Sequence, residues 1–284
     1  MNETAAGRQG ASAGAAPAGE PVIEVRNLET YFGDRHILKD VGFDILKGEI
    51  FVILGGSGSG KSTLLRHIIG LLRPSSGSIK IFGHETVDYD EEEWERLRRR
   101  MGVLFQGGAL FNSMSVGDNV ALPLREFTDL PEANIGIQVR MKLGLVDLAG
   151  FERLRPDQLS GGMKKRAGLA RAIAMDPQVL FFDEPSAGLD PIAGAGLDEL
   201  ILRLRATFGM TIVVVTHEME SVKKIADRVL MLFKGEAVAV GRLEEVMRQT
   251  HPRVQQFFHR QADEERVDPK QYLDYLTAGG RREL

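Results

Sequence analysis

Short runs of apolar, β-branched residues recur along the chain and predict the strands of a sheet. The runs are VIEV (22–25), IFVIL (50–54), SIKIF (78–82), VLFFD (179–183), TIVVVT (211–216) and VLMLF (229–233). Several are apolar throughout, which is typical of strands covered on both faces. Helical patterns separate the later runs, which indicates an α/β fold with a largely parallel central sheet. The earlier runs lie closer together, with turn residues at 47–48 and 75–77, and predict a smaller antiparallel sheet.

The segment from about 88 to 165 has a different pattern. It contains EEEWERLRRR (91–100) and ANIGIQVRMKLGLVDLAG (133–150), with few strand signals. The charge run at 91–100 is typical of a solvated helix face. We therefore expect a helical subdomain over about 88–165, inserted between two core strands of a domain that spans 21–245.

The two ends of the chain differ from this domain. Residues 1–20 are rich in alanine and glycine and have no apolar run, so we expect a disordered leader and not a secretory signal. The extension 246–284 places Val254, Phe257 and Phe258 on one helical face. This stripe either packs on the chain's own core or reaches a second subunit or an accessory protein. Four more apolar or aromatic residues follow it: Tyr272, Leu273, Tyr275 and Leu276.

Composition narrows the possible functions. The chain has 284 residues, of which 43% are hydrophobic and 27% charged, as in ordinary globular proteins. It contains no cysteine, which excludes disulfides, thiolate metal sites and a cysteine nucleophile. The net charge of -4 gives no general attraction to nucleic acid. Because no run of about 18 apolar residues occurs, we expect no membrane-spanning segment.

A glycine-rich loop, GGSGSGKST, follows the run at 50–54 and precedes a helical pattern. It fits G-x-x-x-x-G-K-[ST] in the strand–loop–helix context that a phosphate-binding loop requires. Backbone N–H groups of such a loop turn towards a β-phosphate, and the helix N-terminus adds partial positive charge. We expect Lys61 to contact the β- and γ-phosphates and Ser62 to ligate Mg²⁺. The loop consists of Gly55, Gly56, Ser57, Gly58, Ser59, Gly60, Lys61, Ser62 and Thr63.

Two acidic residues end the strand VLFFD. Ligands in open α/β sheets bind at the carboxyl ends of strands, so Asp183 and Glu184 are expected at the phosphate edge. We expect Asp183 to hold Mg²⁺ through water and Glu184 to polarise an attacking water as general base.

These motifs, in this order over roughly 21–241, resemble the nucleotide-binding subunit of ATP-binding-cassette (ABC) transporters. The resemblance implies a P-loop NTPase (RecA-like) cassette that binds ATP and Mg²⁺ and hydrolyses ATP. It also implies roles for three further residues. Phe32 would stack on adenine, with Tyr31 a neighbouring candidate. Gln106 would sense Mg²⁺ and the membrane partner, and His217 would contact the γ-phosphate.

The stretch LSGGM (159–163) resembles the signature of the same family, which faces the nucleotide held by a second subunit. The resemblance implies a head-to-tail dimer around two ATP molecules. Ser160 would act as helix N-cap and phosphate donor, and Gly161 and Gly162 would let backbone amides approach the γ-phosphate. Asp190, in SAGLD, lies in a stretch that resembles the loop crossing that dimer.

Met163 departs from the family pattern, which usually has glutamine there. This methionine and the stretch FQGGALFNSMSVGDNVALPLRE (105–126) resemble the subgroup that serves lipid transporters with MCE-type partner proteins. The resemblance implies a phospholipid or related lipid as cargo and a place on the cytoplasmic face of a bacterial inner membrane. Implied partners are transmembrane permease subunits, through which alone the chain would contact the membrane, an MCE-type lipid-binding protein and a small STAS-domain protein.

Two alternatives remain open from the sequence. One is a cassette ATPase for another substrate, such as an amino acid, a drug or an organic solvent. The other is a soluble cassette that acts on DNA or ribosomes, although such proteins commonly carry two cassettes or long coiled-coil insertions. Because this chain has one cassette and a short insertion, the sequence favours a transport subunit.

Overall fold

The computed structural model describes residues 19–259 and residue 261, and most of them form two sheets and the helices around them. The strands are β1 (Pro21–Phe32), β2 (Arg35–Leu46), β3 (Ile50–Leu54), β4 (Ser76–Ile81), β5 (His84–Glu85), β6 (Met101–Leu104), β7 (Val179–Asp183), β8 (Thr211–Thr216), β9 (Arg228–Phe233) and β10 (Glu236–Arg242). The helices are α1 (Lys61–Ile68), α2 (Glu91–Arg98), α3 (Val116–Phe127), α4 (Glu132–Leu145), α5 (Gly161–Ala172), α6 (Pro191–Phe208), α7 (Met219–Ile225), α8 (Leu243–Met247) and α9 (Pro252–Phe258).

The larger sheet has the strand order β10-β9-β3-β8-β7-β6. All neighbouring strands pair in parallel except β10 and β9, which form an antiparallel edge. Every residue of β3 and β8 is buried, because helices and the smaller sheet cover both faces. The α/β fold with a largely parallel central sheet, predicted from the apolar runs, is confirmed.

The register of three central strands brings their carboxyl ends to one level. In the β3–β8 pair, Leu54 lies opposite Thr216, and in the β7–β8 pair, Asp183 lies opposite Val215. The residues that follow these strands, from Gly55, Glu184 and His217 onward, therefore leave the sheet side by side. This edge is where open parallel sheets bind ligands.

The smaller sheet is antiparallel, with the order β2-β1-β4-β5, as the sequence predicts. It packs on the larger sheet, and the rings of Phe43 and Phe51 stack with centroids 5.4 Å apart. The turn between β9 and β10 joins the two sheets at the phosphate loop. Lys39 N donates to Gly235 O at 2.9 Å, and Gly235 N donates to Ser59 O at 3.1 Å.

The structure differs from the sequence-based expectation inside the segment predicted to be helical. Residues Met101–Leu104 form β6, which pairs in parallel with β7 at the edge of the larger sheet. Only four residues long, this strand gives too little periodic signal to be recognised. The strand β10 was also missed. At 75–77 a turn was predicted, yet β4 begins at Ser76.

Helices α3, α4 and α5 pack against one another and continue the core of the larger sheet. Apolar residues from each helix enter this core, namely Val120, Leu143 and Leu169, all of which are fully buried. At its other end, α5 approaches the strand β6, so the helical part and the sheet share one continuous apolar cluster.

The apolar stripe in α9 packs on its own chain. Val254 is fully buried, and Phe257 and Phe258 are partly buried against the core of the larger sheet. The guanidinium of Arg253 lies 4.6 Å from the ring centroid of Phe233. Within one chain these residues therefore pack as the first of the two sequence-based interpretations expects, and contact of 246–284 with a second subunit or an accessory protein stays a prediction. Tyr272, Leu273, Tyr275 and Leu276, like the expected leader up to residue 18, lie outside the described residues.

Within residues 19–259 and 261, no helix is both long enough and apolar enough to cross a membrane.

A buried histidine of α1 forms a hydrogen bond to the smaller sheet and another to the chain just after α1. His67 Nδ1 lies 2.8 Å from Leu72 O, and Nε2 lies 2.8 Å from Thr30 Oγ1. Because a carbonyl only accepts, Nδ1 carries the hydrogen and Nε2 accepts from the threonine hydroxyl. Burial lowers the pKa of His67 below its usual value, against a smaller opposing effect of the Leu72 carbonyl.

This pKa direction predicts a loss of stability in acid. The unfolded chain takes up a proton on His67 near its usual pKa of about 6.5, whereas the folded chain resists it to lower pH. The free energy of unfolding should therefore fall as pH drops below about 6.5. Urea unfolding of the wild type and of His67→Gln at about pH 7.5 and about pH 5.5 measures this. The variant should lack this acid-dependent loss, and equal pH dependence in both proteins would contradict the assignment.

Candidate nucleotide-binding site

The phosphate-type loop joins β3 to α1 in the structure. Its last glycine, Gly60, precedes α1 with φ 104°, and no side chain caps that helix. A Cβ at Gly60 would lie 2.7 Å from Leu38 Cδ2, so both conformation and space require glycine here. Free first-turn N–H groups and the positive end of the helix dipole suit an anionic ligand.

Lys61 is buried at the start of α1 and points back into the loop. Its Nζ donates to Gly55 O at 2.8 Å and to Gly56 O at 3.0 Å. Burial lowers the pKa of Lys61, while the nearby carboxylates of Glu184 and Asp183 oppose that effect. A buried ammonium beside a glycine loop is the arrangement in which a lysine holds phosphate oxygens.

Asp183, the last residue of β7, and Glu184, which follows it, lie near this lysine. Burial raises the pKa of Asp183, the charge of Glu184 raises it further, and Arg66 and Lys61 oppose both effects. Its Oδ1 atom is buried and has no hydrogen-bond partner within residues 19–259 and 261. An unpartnered carboxylate oxygen at this position is suited to a cation or to a water bound to one.

The donor set fits Mg²⁺. Hard cations prefer oxygen ligands and keep several waters, with one or two carboxylates and substrate phosphates completing the shell. Asp183 supplies a buried carboxylate oxygen, the side chain of Ser62 is exposed on the loop, and Gln106 is exposed just after β6. These three are the residues for which the sequence predicts metal contact.

Glu184 and His217 face each other across the sheet edge. His217 Nδ1 lies 3.0 Å from Glu184 Oε1, and because a carboxylate accepts, Nδ1 donates. Glu184 has φ 48°, in the left-handed region that non-glycine residues rarely adopt. Its N–H donates to Val215 O at 2.8 Å. A carboxylate held by a strained backbone at a ligand edge is a candidate general base.

The signature stretch lies at the N-terminus of α5. Ser160 is the N-cap, and its Oγ accepts from Met163 N at 3.3 Å. Ser160 and Gly161 are exposed and Gly162 is half-buried. In the described part of the chain, no hydrogen bond joins these three residues to the 55–63 loop. The Met163 side chain packs against the core of the larger sheet, a contact that favours an apolar residue over glutamine.

Asp190 caps the next helix. Its carboxylate accepts from Ile192 N at 3.0 Å and Ala193 N at 2.9 Å at the start of α6. The structure therefore gives Asp190 a capping role, and it brings this residue to neither the phosphate-type loop nor Glu184 by a hydrogen bond.

The two aromatic candidates at the end of β1 are in different environments. Tyr31 stacks on His36, with ring centroids 4.1 Å apart. Both residues are about half exposed, Tyr31 at 49% and Phe32 at 48%, and Phe32 makes no ring contact among the described residues. Stacking of Phe32 on a base stays a prediction.

The sequence analysis missed the buried Lys165 on α5 and the close contact between Gly168 and Gly108. Lys165 is buried and donates to the backbone that follows Asp183. At Gly168 an added Cβ would lie 2.7 Å from Gly108 O, so α5 touches the segment after Gln106 backbone to backbone. Lys165, Gly168 and Leu169 share one helix face, and this i, i+3, i+4 spacing could have marked the lysine as buried. Within the run KKR (164–166), however, Lys165 resembles part of a solvent-exposed basic stretch.

A groove of about 720 Å³ lies between α2, β6, α3 and α5, and Ala109, three residues after Gln106, is part of its lining. The exposed rings of Phe111 and Phe127 line it. Guanidinium groups lie over both rings, Arg171 at 5.6 Å from Phe111 and Arg99 at 4.9 Å from Phe127. Three acidic residues also line the groove: Glu91, Glu95 and Glu126. A ring-lined groove with charged residues at its border is suited to a protein segment.

Comparisons with known proteins show which family the chain belongs to. A family model described as ABC transporter matches residues 38–187. The chain is 46% identical over 237 residues to a probable ribonucleotide transport ATP-binding protein, mkl, of Mycobacterium leprae, covering 84% of this chain and 68% of that protein. It is 44% identical over 242 residues to the intermembrane phospholipid transport system ATP-binding protein MlaF of Haemophilus influenzae, covering 85% of this chain and 92% of that protein.

A solved structure of a cassette has the same fold as this chain. The chain matches a dimeric, post-hydrolysis ATP-binding cassette bound to ADP and Pi with a TM-score of 0.72 and 31% sequence identity, covering 78% of this chain and 98% of the other. The chain spans about two thirds of the length of the mycobacterial relatives it matches. The family match, the identity to these relatives and the shared fold together confirm the resemblance found in the sequence: the chain belongs to the ABC transporter family and is an ATP-binding cassette of that family.

Proposed function

We propose that this chain hydrolyses ATP as the nucleotide-binding subunit of a transporter that moves phospholipid between membranes. The observation that carries the proposal is the 44% identity to the MlaF protein, which extends over 92% of that protein's length. The cassette would comprise 21–245, and the extension would comprise 246–284.

Nucleotide binding uses the first chain's own loop. The N–H groups of residues 55–60 and of the first turn of α1 enclose the β-phosphate, and Lys61 exchanges its two carbonyl contacts for phosphate oxygens. Phe32 stacks on the adenine. Ser62, Gln106 and Asp183 would hold Mg²⁺, which when bound neutralises charge on the phosphates.

Hydrolysis depends on Glu184 and His217. The carboxylate of Glu184 accepts a proton from the attacking water, while His217 donates to Glu184 through Nδ1. When the ring also carries a proton on Nε2, that nitrogen can donate to the γ-phosphate. The backbone of Glu184 fixes the base at the same level as the phosphate loop. The chain thus supplies positioning and electrostatic stabilisation, which phosphoryl transfer chiefly requires.

A second copy completes the site. The exposed Ser160 and Gly161 carry an N–H-rich helix terminus that, among the described residues, makes no hydrogen bond to its own phosphate loop, so it suits the γ-phosphate of a partner. The resulting head-to-tail dimer encloses two ATP molecules. The relative bound to ADP and Pi is itself dimeric.

The groove lined by Phe111 and Phe127 is the proposed docking site for a transmembrane permease. Its exposed rings and the presence of Arg171 and Ala172 of α5, the signature helix, in its wall support this proposal. We further propose an MCE-type lipid-binding protein and a small STAS-domain protein in the complex. The subunit would lie on the cytoplasmic face of a bacterial inner membrane and contact the membrane only through the permease.

A second candidate function is ribonucleotide transport. The mycobacterial relatives named for it are 46% and 45% identical to this chain. The chain covers 68% and 66% of those relatives, against 92% of the MlaF protein, which is why phospholipid is preferred.

Affinity purification of the full chain from detergent-solubilised membranes tests the proposal. Mass spectrometry should identify a permease, an MCE-type protein and bound phospholipid in the eluate. Phospholipid added to the purified complex should also change its ATPase rate, whereas a ribonucleotide other than ATP should not. A complex that carries no lipid and responds only to the ribonucleotide would reverse the choice between the two candidates.

The variant Glu184→Gln tests the base. Because glutamine cannot accept the proton, turnover should fall by about 10²- to 10⁴-fold while ATP binding is kept and the closed dimer accumulates. Phosphate release and size-exclusion chromatography with ATP and Mg²⁺ measure these effects. The control is Glu220→Gln, an exposed acid on α7 that forms an ion pair with Lys223, and it should behave as wild type. Normal turnover in Glu184→Gln would remove that residue from the mechanism.

Mixing two inactive variants tests the shared site. Lys61→Ala lacks the phosphate contact, and Gly161→Asp places a negative charge at the signature, so each protein alone should hydrolyse little ATP. A mixed dimer retains one site with an intact loop and an intact signature. The mixture should therefore hydrolyse ATP faster than either variant alone, as measured by phosphate release. A mixture no faster than its components argues against a site shared between two chains.

A further inference from the structure

The backbone after β7 is held by a side chain that no motif assigns. Lys165 lies on α5, is 6% exposed, and donates from Nζ to three carbonyl oxygens of the following loop. These belong to Ala187 at 2.7 Å, Glu184 at 3.4 Å, and Pro185. An ammonium has three N–H donors, so the three carbonyls satisfy it in full.

The contact with Lys165 holds a segment of backbone that is in an unfavourable conformation. Glu184, with φ 48°, lies in a left-handed conformation that is unfavourable for a non-glycine residue. Its N–H is fixed by Val215 O in β8, and its carbonyl faces Lys165 Nζ. The peptide group before Glu184 is thus fixed by the sheet, and the peptide group after it by α5. The direction of the Glu184 carboxylate depends on both.

The helix that carries Lys165 is itself in contact with the segment after Gln106. Gly168, one turn further along α5, touches Gly108 backbone to backbone, and Arg171 Nη2 donates to Gly108 O at 3.3 Å. One turn before Lys165, α5 begins at Gly161. A shift of this helix therefore displaces both the signature and the carbonyls behind Glu184.

We infer that Lys165 is a positioning residue that sets the Glu184 carboxylate according to the placement of the signature helix. The inference rests on the proposed ATPase function. In the dimer, the N-terminus of α5 meets the nucleotide of the partner chain, while Glu184 acts on the nucleotide of its own chain. Lys165 links the two sites within one chain, so occupation of one adjusts the base at the other.

The test replaces Lys165 by methionine, which has a similar length and no donor. kcat for ATP should fall by about 10- to 100-fold, because small displacements of a catalytic group have effects of this size. KM for ATP should change by less than about threefold, since the nucleotide-binding groups are untouched. The matched control is Lys142→Met on α4, which removes an equally buried lysine, 4% exposed, whose partner is Asp176. It should leave kcat unchanged.

A double-mutant cycle separates positioning from general loss of structure. If Lys165 acts through Glu184, then adding Lys165→Met to Glu184→Gln should not lower the single-turnover rate further. A structural effect would lower the rate in both backgrounds, and that result would overturn the inference. A kcat for Lys165→Met equal to that of the Lys142→Met control would do the same.

Folding is checked by thermal unfolding of each variant. Should Lys165→Met fail to fold, Lys165→Gln, which keeps an amide donor, enters the same cycle. If neither folds, Lys165 serves the fold and the inference is wrong. The outcome for the proposed function is read separately, because Glu184→Gln alone and the mixture of Lys61→Ala with Gly161→Asp do not involve Lys165.

Discussion

The parallel register of β3, β8 and β7 is the constraint on which the site depends. Hydrogen bonding places Leu54 opposite Thr216 and Asp183 opposite Val215, so three loops begin at one level of the sheet. If one strand slipped by a single residue, its buried side chains would turn to the opposite face of the sheet. The packing on both covered faces would then be lost. The apolar core thus enforces the positions of Lys61, Glu184 and His217 without any direct contact between the core and a nucleotide.

The helical part is joined to this sheet by α5, which serves several purposes at once. Its buried face includes Leu169 in the core, Gly168 against the segment after Gln106, and Lys165 on the loop after Asp183. A helix packed this closely on two loops moves with them, since close-packed interiors transmit displacement. Communication between a docked permease and the hydrolytic edge would therefore pass through backbone contacts.

The sequence was most informative where apolar pattern and chemical motif coincide. The strands β3, β7 and β8 are continuous apolar runs, and the loop at 55–63 and the acidic pair follow them directly, so fold class and candidate residues could be predicted together. The strand β6 could not, because four residues carry too little periodicity. The helical spacing of Lys165, Gly168 and Leu169 could have marked this lysine as buried, but its partners could not be predicted, because the carbonyls that it contacts lie about 20 residues further along the chain. Whether α9 packs on its own chain depended on tertiary contact in the same way.

The turn at Gly235 has a consequence for how a nucleotide is recognised. Gly235 bonds both β2 and the phosphate loop, and β2 pairs with β1, the strand that ends in Phe32. If Phe32 stacks on the base as proposed, each single chain holds its base contact and its phosphate contacts at a set spacing. Selection among nucleotides would then be an equilibrium property of the monomer, whereas hydrolysis would require the proposed dimer.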